Sequence, residues 1–223
     1  MGSICCGILA LFMGVIMKNT IAIRDVSVSP DVLFMGVIMK NTIACFGDSL
    51  IYGFPFGKEQ SWLTRVHKLN TDIILLNYGE CGATCDDIFA NMKRSALKPE
   101  VKHIMFLGGA NDVLQNRPIK FVIGDVEQAI MWANGQGYIF ALVLPWLTAE
   151  ASLNRKIEEL REKFCAQFST ACQIFDWQPA IGFNRMELSS AYLDGVHPTI
   201  GTYDKIGRYA SPLIELWLEG EKA

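Results

Sequence analysis

The chain has 223 residues, a length that suits one domain with a sizeable core. Its 20 basic and 23 acidic residues leave a net charge of -3 and are spread along the chain, and no basic run reaches the density of a nucleic-acid site, so nucleic acid is excluded as a partner. Hydrophobic residues make up 51 % and charged ones 19 %, a little apolar for a soluble enzyme, and the N-terminus is a main cause.

Leu-Phe-Met-Gly-Val-Ile-Met-Lys-Asn-Thr-Ile-Ala occurs at 11–22 and again, identically, at 33–44. A solenoid would repeat throughout, and this does not. Only the second copy leads into Gly47-Asp48-Ser49. Residues 1–38 are therefore expected to be a duplicated apolar extension outside the fold, with the domain over 39–223. A targeting role is the alternative. The apolar run from Ile4 to Met17 is shorter than the roughly 20 residues of a spanning helix. It has no basic residues before it, and Cys6 stands where a myristoylation signal has Ser or Thr. The expected location is the cytoplasm, with secretion or membrane anchoring only if this segment is genuine. Seven cysteines (Cys5, Cys6, Cys45, Cys81, Cys85, Cys165 and Cys172) are expected to be reduced and mostly buried. Cys81 and Cys85 lack Cys or His partners at zinc spacing, so no metal is expected.

Strand formers at 41–46 end abruptly in Gly-Asp-Ser, so Ser49 falls just past a strand end, where a loop begins. The stretch 52–57, Tyr-Gly-Phe-Pro-Phe-Gly, is a turn-rich loop carrying aromatic rings close to Ser49. Trp62, Val66 and Leu69 predict a helix over 61–69, with His67 at its boundary. A buried strand over 72–77 leads to Gly79 and Gly82. Thr84 then caps a helix whose first turn carries Asp86 and Asp87 and which ends before Pro99. The strand 101–107 contains His103 and ends in Gly108-Gly109-Ala110-Asn111-Asp112. Val122, Val126, Ile130 and Ala133 form one helix face, stopped by Asn134-Gly135-Gln136-Gly137. A strand over 138–144 ends at Pro145. Leu153, Ile157, Leu160, Phe164 and Phe168 then form an apolar stripe opposite a solvated charged face. A short strand over 171–175 precedes 176–191, read as loop with helical turns. Ile206, Ala210, Leu213 and Trp217 mark a closing helix that Ser211-Pro212 should kink or restart.

Strands alternating with helices imply a parallel sheet covered on both faces. Ligands in such sheets bind at the carboxyl ends of the strands, where Ser49, Gly82 and Asn111 all fall. A serine is a weak nucleophile until a base takes its proton. Of three histidines, His67 and His103 read as structural, which leaves His197 as the candidate base. Asp194, three residues earlier, has the right type and reach to hold the second ring nitrogen. The order Ser…Asp…His is also that of α/β-hydrolases, but their Gly-x-Ser-x-Gly elbow is missing.

Four blocks in this order, Gly47-Asp48-Ser49-Leu50, the glycines around Gly82, Gly108-Gly109-Ala110-Asn111-Asp112 and Asp194-Gly195-Val196-His197-Pro198, resemble the SGNH (GDSL-type) hydrolases, which cleave esters and thioesters. The resemblance runs from about Met39 to the C-terminus. It implies an α/β fold of flavodoxin-like type, a three-layer α/β/α sandwich around a five-stranded parallel sheet. It also implies Ser49 as nucleophile, His197 as general base and acid, and Asp194 as its orienting partner. The backbone N–H groups of Ser49 and Gly82 and the side-chain amide of Asn111 would form an oxyanion hole. A glycine at 82 would keep a side chain out of the substrate's way. Asp48 and Asp112 are expected to hold loops. Two departures stand out: Ala110 replaces the usual threonine of the third block, and Gly201-Thr202-Tyr203 separates a glycine that usually adjoins the tyrosine.

The expected activity is hydrolysis of carboxylic esters, with short-chain or aryl esters favoured because no long lid is inserted. Thioesterase, lysophospholipase and sugar-ester deacetylase stay open as alternatives. Phe54, Phe56 and Trp146 are candidate pocket residues, with core packing an equal reading for each. No cofactor is expected, and the partner is a small-molecule ester rather than nucleic acid or membrane. A non-catalytic anion-binding module, with the turns at 79–82 and 108–109 around a phosphate, is the reading from another class. No Walker or Gly-x-Gly-x-x-Gly pattern supports it.

Overall fold

A computed structural model describes residues 41–220. The duplicated extension, the boundary at 38/39, Cys5 and Cys6 lie outside the described residues.

The apolar runs form five strands, β1 (Asn41–Gly47), β2 (Ile73–Gly79), β3 (Val101–Leu107), β4 (Ile139–Val143) and β5 (Gln173–Phe175). They hydrogen-bond in the order β2-β1-β3-β4-β5, every neighbouring pair parallel. This is the doubly wound order of flavodoxin-like sheets. β1 and β3 occupy the interior and are buried almost throughout. A parallel strand covered on both faces has no polar side to present, which is why both read as near-continuous apolar runs. β2, at one edge, is mostly half-buried, and β5, at the other, has only three residues, which limits the exposed ladder.

The helices are α1 (Ser49–Tyr52), α2 (Trp62–Leu69), α3 (Cys85–Arg94), α4 (Ala110–Leu114), α5 (Ile119–Gly135), α6 (Ala151–Phe168), α7 (Gln178–Ile181), α8 (Arg185–Ala191) and α9 (Ile200–Gly220). α2 and α7 pack on α9, while α3 packs on α5 and α5 on α6, giving the two outer layers. The stripe of α6 is buried at Ile157, Leu160, Phe164 and Phe168. Each such side chain contributes roughly 1.5–3 kcal/mol by leaving water. Under α9, rings pack in sequence: Trp62 edge-on to Trp177 at 5.7 Å, Trp177 stacked on Phe175 at 4.9 Å, Phe175 edge-on to Trp217 at 5.6 Å, and Trp217 edge-on to His103 at 4.9 Å. His103 is thus part of the core wall. His67 Nδ1 lies 2.8 Å from the carbonyl of Ile73 and ties α2 to the start of β2.

Three expectations need correction. Ser49 does not open a loop: it is the first residue of α1, because Asp48 caps the turn and Gly53, at φ 92, closes it. Pro212 does not restart the last helix, which runs unbroken for 21 residues. Pro212 and Arg208 both face solvent, so water can satisfy the Arg208 carbonyl that loses its intrahelical donor. The described cysteines are free, but only Cys45 and Cys85 are buried, whereas Cys81 and Cys165 are exposed and Cys172 is intermediate. Cys165 sits on the solvent face of α6, and Cys81 on the surface turn after β2. Among the described residues no helix is long and apolar enough to cross a membrane.

The register aligns Gly47 of β1 with Gly79 of β2 and with Leu107 of β3. Gly79 has no room for a side chain: a Cβ there would lie 2.3 Å from the backbone nitrogen of Tyr52 and 2.8 Å from its Cα. Backbone cannot rotate aside as a flexible side chain can. Gly79→Ala is therefore expected to push α1 off the sheet and destabilise the fold by about 1–3 kcal/mol, read from the midpoint of urea unfolding. An unchanged midpoint would show that α1 is not pinned there.

Candidate active site

The loops at the carboxyl ends of β1, β2 and β3, three neighbouring strands, converge with the turn before α9. At the end of β1, the Asp48 carboxylate accepts the Leu50 N–H at 2.8 Å. The cap starts α1 immediately and leaves Ser49 in its first position, with its side chain facing the turn that carries His197. Ser49 Oγ lies 3.1 Å from His197 Nε2. His197 Nδ1 lies 2.7 Å from Asp194 Oδ2. The second oxygen of Asp194 accepts the backbone N–H groups of His197 at 2.8 Å and Val196 at 3.1 Å. An ionised Asp194 can only accept, so its contact assigns the proton to Nδ1 and leaves Nε2 as acceptor for the serine hydroxyl. Burial raises the Asp194 carboxyl, but the backbone and ring N–H groups of His197 and the N–H of Val196 outweigh it and hold the pKa at about 2.

The turn that presents this pair is itself braced. Tyr192 and Pro198 form an antiparallel bridge, with the Leu193 N–H donating to the His197 carbonyl at 2.9 Å. Gly195, at φ 90, supplies the left-handed residue that the short turn needs. The Phe54 ring leans on the imidazole, centroids 4.5 Å apart and planes tilted 56°. The hydroxyl of Tyr203, in α9, donates to the Phe54 carbonyl at 3.0 Å and holds that residue in place.

After β2, the Ala83 N–H donates to the Glu80 carbonyl at 3.2 Å, and the turn passes through Gly82 at φ 82. A Cβ on Gly82 would meet nothing within 4 Å. Glycine is therefore required here by the backbone angle and not by crowding within the protein. After β3, the Asn111 Nδ2 donates to the Ala83 carbonyl at 2.9 Å. The neighbouring Asp112, fully buried, accepts the Cys85 N–H at 3.0 Å and the Arg117 guanidinium at 2.8 Å.

A cavity of about 160 Å³ opens at Ser49, lined by Asp48, Leu50, Ala110, Asn111, Leu114, Asp194, Val196 and His197. It brings Ser49, Asn111, Asp194 and His197 together. Gly82 is exposed and does not line it. Of the three aromatic candidates, none lines the cavity. Phe54 touches His197 from outside it, Phe56 is half-buried against the core, and Trp146 is 1 % exposed within the core. Trp146 follows β4 and was drawn inward by the same apolar packing that fills the sheet. The apolar wall is instead Leu50, Ala110, Leu114 and Val196. Three of these sit inside the blocks already singled out, so adjacency to the polar residues was the available signal. Among the described residues no cluster of His, Cys, Asp or Glu is arranged to hold a metal ion.

A flavodoxin-like sheet with a serine, a histidine and an aspartate in a hydrogen-bonded row at its strand ends defines the chain as an SGNH-type hydrolase. The model of the GDSL-like Lipase/Acylhydrolase family matches residues 45–205, and the chain belongs to that family. Its members' chemistry makes the chain an acylhydrolase acting on esters. No curated protein matches it significantly. Solved structures share its fold at low identity. A lipolytic protein of the G-D-S-L family from Desulfitobacterium hafniense is 19 % identical, with a TM-score of 0.68 over 77 % of this chain and 98 % of that one. The psychrotrophic esterase EstA from Pseudoalteromonas sp., in a form inhibited by monoethylphosphonate, is 20 % identical, with a TM-score of 0.64 over 80 % and 99 %. An acetylxylan esterase from Geobacillus stearothermophilus is 16 % identical, with a TM-score of 0.63 over 75 % and 91 %.

Asp48 is 1 % exposed, and burial, aided by the nearby Asp112 charge, lifts its pKa from 3.8 to about 7 against the opposing Leu50 hydrogen bond. The folded chain thus holds this proton more tightly than the unfolded one. The resulting stabilisation is complete below pH 3.8 and is lost as the pH rises through about 7. Asp48→Asn keeps an acceptor for Leu50 but stays neutral. Relative to the native chain it is expected to gain stability from pH 4 upward, levelling off above pH 7 at no more than roughly 4 kcal/mol. Urea unfolding of both proteins at pH 4, 6 and 8 reads this, and a difference that does not grow with pH would refute it.

Proposed function

We propose that the protein is a serine esterase that cleaves short-chain carboxylic esters through an acyl-enzyme. The observation that carries the reading is the unbroken row from Ser49 Oγ to His197 at 3.1 Å and on to Asp194 at 2.7 Å. In the first half-reaction Ser49 Oγ attacks the ester carbonyl carbon while its proton passes to His197 Nε2. The carbonyl electrons move onto oxygen. When they return, the bond to the alcohol oxygen breaks and the leaving group takes the proton from His197. Water then attacks the acyl-serine, gives a proton to the same nitrogen, and the acid departs as that proton returns to Ser49. Asp194, ionised down to about pH 2, stabilises the imidazolium in both halves.

The tetrahedral oxyanion needs donors placed before the reaction begins. The backbone N–H of Ser49, at the start of α1, and that of Gly82 are two. Asn111 is the third. Its Nδ2 carries two hydrogens, and with one donated to Ala83 the other is left for the oxyanion.

The acyl side is small. The cavity of about 160 Å³ falls well below the 300–1,000 Å³ of sites that enclose drug-sized ligands. Leu50, Ala110, Leu114 and Val196 would take an acetyl to butyryl chain. Short aryl esters fit this reading because the aryl alcohol would remain outside, beside Phe54. An acetylated sugar would present an equally small acyl group, and the acetylxylan esterase among the solved structures makes that the second reading.

A fluorophosphonate probe is expected to add once, on Ser49, and not at all to Ser49→Ala or His197→Ala, as read by intact mass and peptide mapping. Labelling elsewhere would overturn the nucleophile. Asn111→Ala is expected to lower kcat by about 10²–10³ with KM little changed. Nitrophenyl acetate and butyrate should be turned over well ahead of the decanoate. A preference for decanoate would refute the small acyl pocket, and faster acetate release from acetylated xylan would favour the sugar ester.

A further inference from the structure

We propose that Arg117, through Asp112, is a positioning residue that holds the oxyanion donors of the β2 and β3 loops as one rigid unit. This rests on the reading of the Ser49 site given above.

The donors proposed at Gly82 and Asn111 belong to different loops, and their spacing depends on what joins those loops. Two adjacent side chains of the second loop reach the first. Asn111 Nδ2 donates to the Ala83 carbonyl at 2.9 Å, and Asp112 Oδ2 accepts the Cys85 N–H at 3.0 Å. The segment just after Gly82 is thus stapled at two points two residues apart. Asn111 is itself held by its staple, so the same bonds fix both donors.

The second staple is a fully buried carboxylate, and its aim depends on what holds its other oxygen. Arg117 does this. Its Nη1 lies 2.8 Å from Asp112 Oδ1 and 2.5 Å from Asp125 in α5, and 3.5 Å from Asp86 in α3. The Arg117 backbone N–H also donates to the Asp112 carbonyl at 2.8 Å, so guanidinium and carboxylate belong to one tight turn after α4. Asp86 in turn accepts the hydroxyl of Thr84 at 2.6 Å, on the loop being held. The guanidinium therefore joins α3, α4 and α5 at the point where the two donor-bearing loops meet. Among the described residues no other cation is placed on Asp112. Neither Arg117 nor Asp112 lines the acyl cavity, which the network reaches only through the donor Asn111. Its effect must therefore appear in the transition state and not in substrate binding.

The test is steady-state kinetics on nitrophenyl acetate for Arg117→Gln, Arg117→Lys and Ser49→Ala, normalised to the folded fraction by circular dichroism. Arg117→Gln is expected to lower kcat by about 10- to 100-fold, less than the loss of an oxyanion donor itself, with KM within about threefold. Arg117→Lys, which returns a cation with donors to the same carboxylates, should recover most of the loss. A role confined to stability would lower the melting temperature of Arg117→Gln and leave kcat per folded molecule unchanged, and that result overturns the proposal. Should Arg117→Gln not fold, Asp125→Asn, which releases one of the guanidinium's two close partners, is expected to lower kcat by about 3- to 10-fold, and an unchanged kcat there overturns the proposal equally. Turnover lost in Ser49→Ala but intact in Arg117→Gln discards the positioning role alone. Turnover intact in Ser49→Ala discards the nucleophile and the positioning role with it.

Discussion

The parallel register of β1 with β2 and β3 is the constraint on which the rest depends. It sets Gly47 beside Gly79 on one side and beside Leu107 on the other, so three chains leave the sheet at the same height. In a parallel sheet those exits all point the same way, and the order β2-β1-β3 puts the serine-bearing strand between its two partners. The lack of a Cβ at Gly79 lets the first turn of α1 settle directly on the end of β2, so Ser49 is carried by a helix resting on the sheet. The site is then completed by a single long-range event, the return of the chain after α8 to place His197 against a serine 148 positions earlier.

That return shows why a short turn can be precise. Asp194 uses one oxygen on the His197 ring and the other on the backbone N–H groups of Val196 and His197. The carboxylate that orients the imidazole also folds the turn that carries it. The ring has little freedom left, since Phe54 closes one side and the Tyr192–Pro198 bridge anchors the turn on which it sits. Side-chain order here comes from local bonds over three residues and one aromatic contact, and it needs no large lid.

The layers of the fold were legible because they rest on period. The apolar run of β3 and the stripe from Ile157 to Phe168 bury the residues their spacing marks. Three of the polar blocks were legible because each follows a strand end, and the fourth, at 194–198, follows α8 and was legible by its residue types alone. What escaped was settled by partners distant in sequence. Trp146 and Phe56 are as apolar as Leu114 or Val196, and nothing local says which face the core and which the cavity. Pro212 reads as a helix breaker until it is known that its turn faces water. Cys81 and Cys165 look like small core residues, yet they fall on an exposed turn and on the solvent face of α6. Arg117 carries no motif at all, and its meaning depends on carboxylates from three different elements.

Two carboxylates, Asp48 and Asp112, lie behind the site with almost no exposure, and they meet the burden of burial differently. Asp112 has a guanidinium on one oxygen and a backbone N–H on the other. Asp48 has the N–H of Leu50, which lowers its pKa, but burial, with Asp112 as a nearby like charge, outweighs that bond and lifts it to about 7. Near neutral pH the chain therefore carries, one residue from its serine, a group balanced between neutral and charged. Keeping it ionised works against folding, because the charge is desolvated without a cation of its own. An uncharged acceptor would cap α1 without that penalty. A carboxylate at this position thus sets part of the chain's stability against a cap whose strength rises with charge, and the balance shifts as the pH passes through about 7. Stability and the geometry of the serine are coupled at Asp48, so the same proton that relaxes the fold also weakens the bond that starts the helix beneath Ser49.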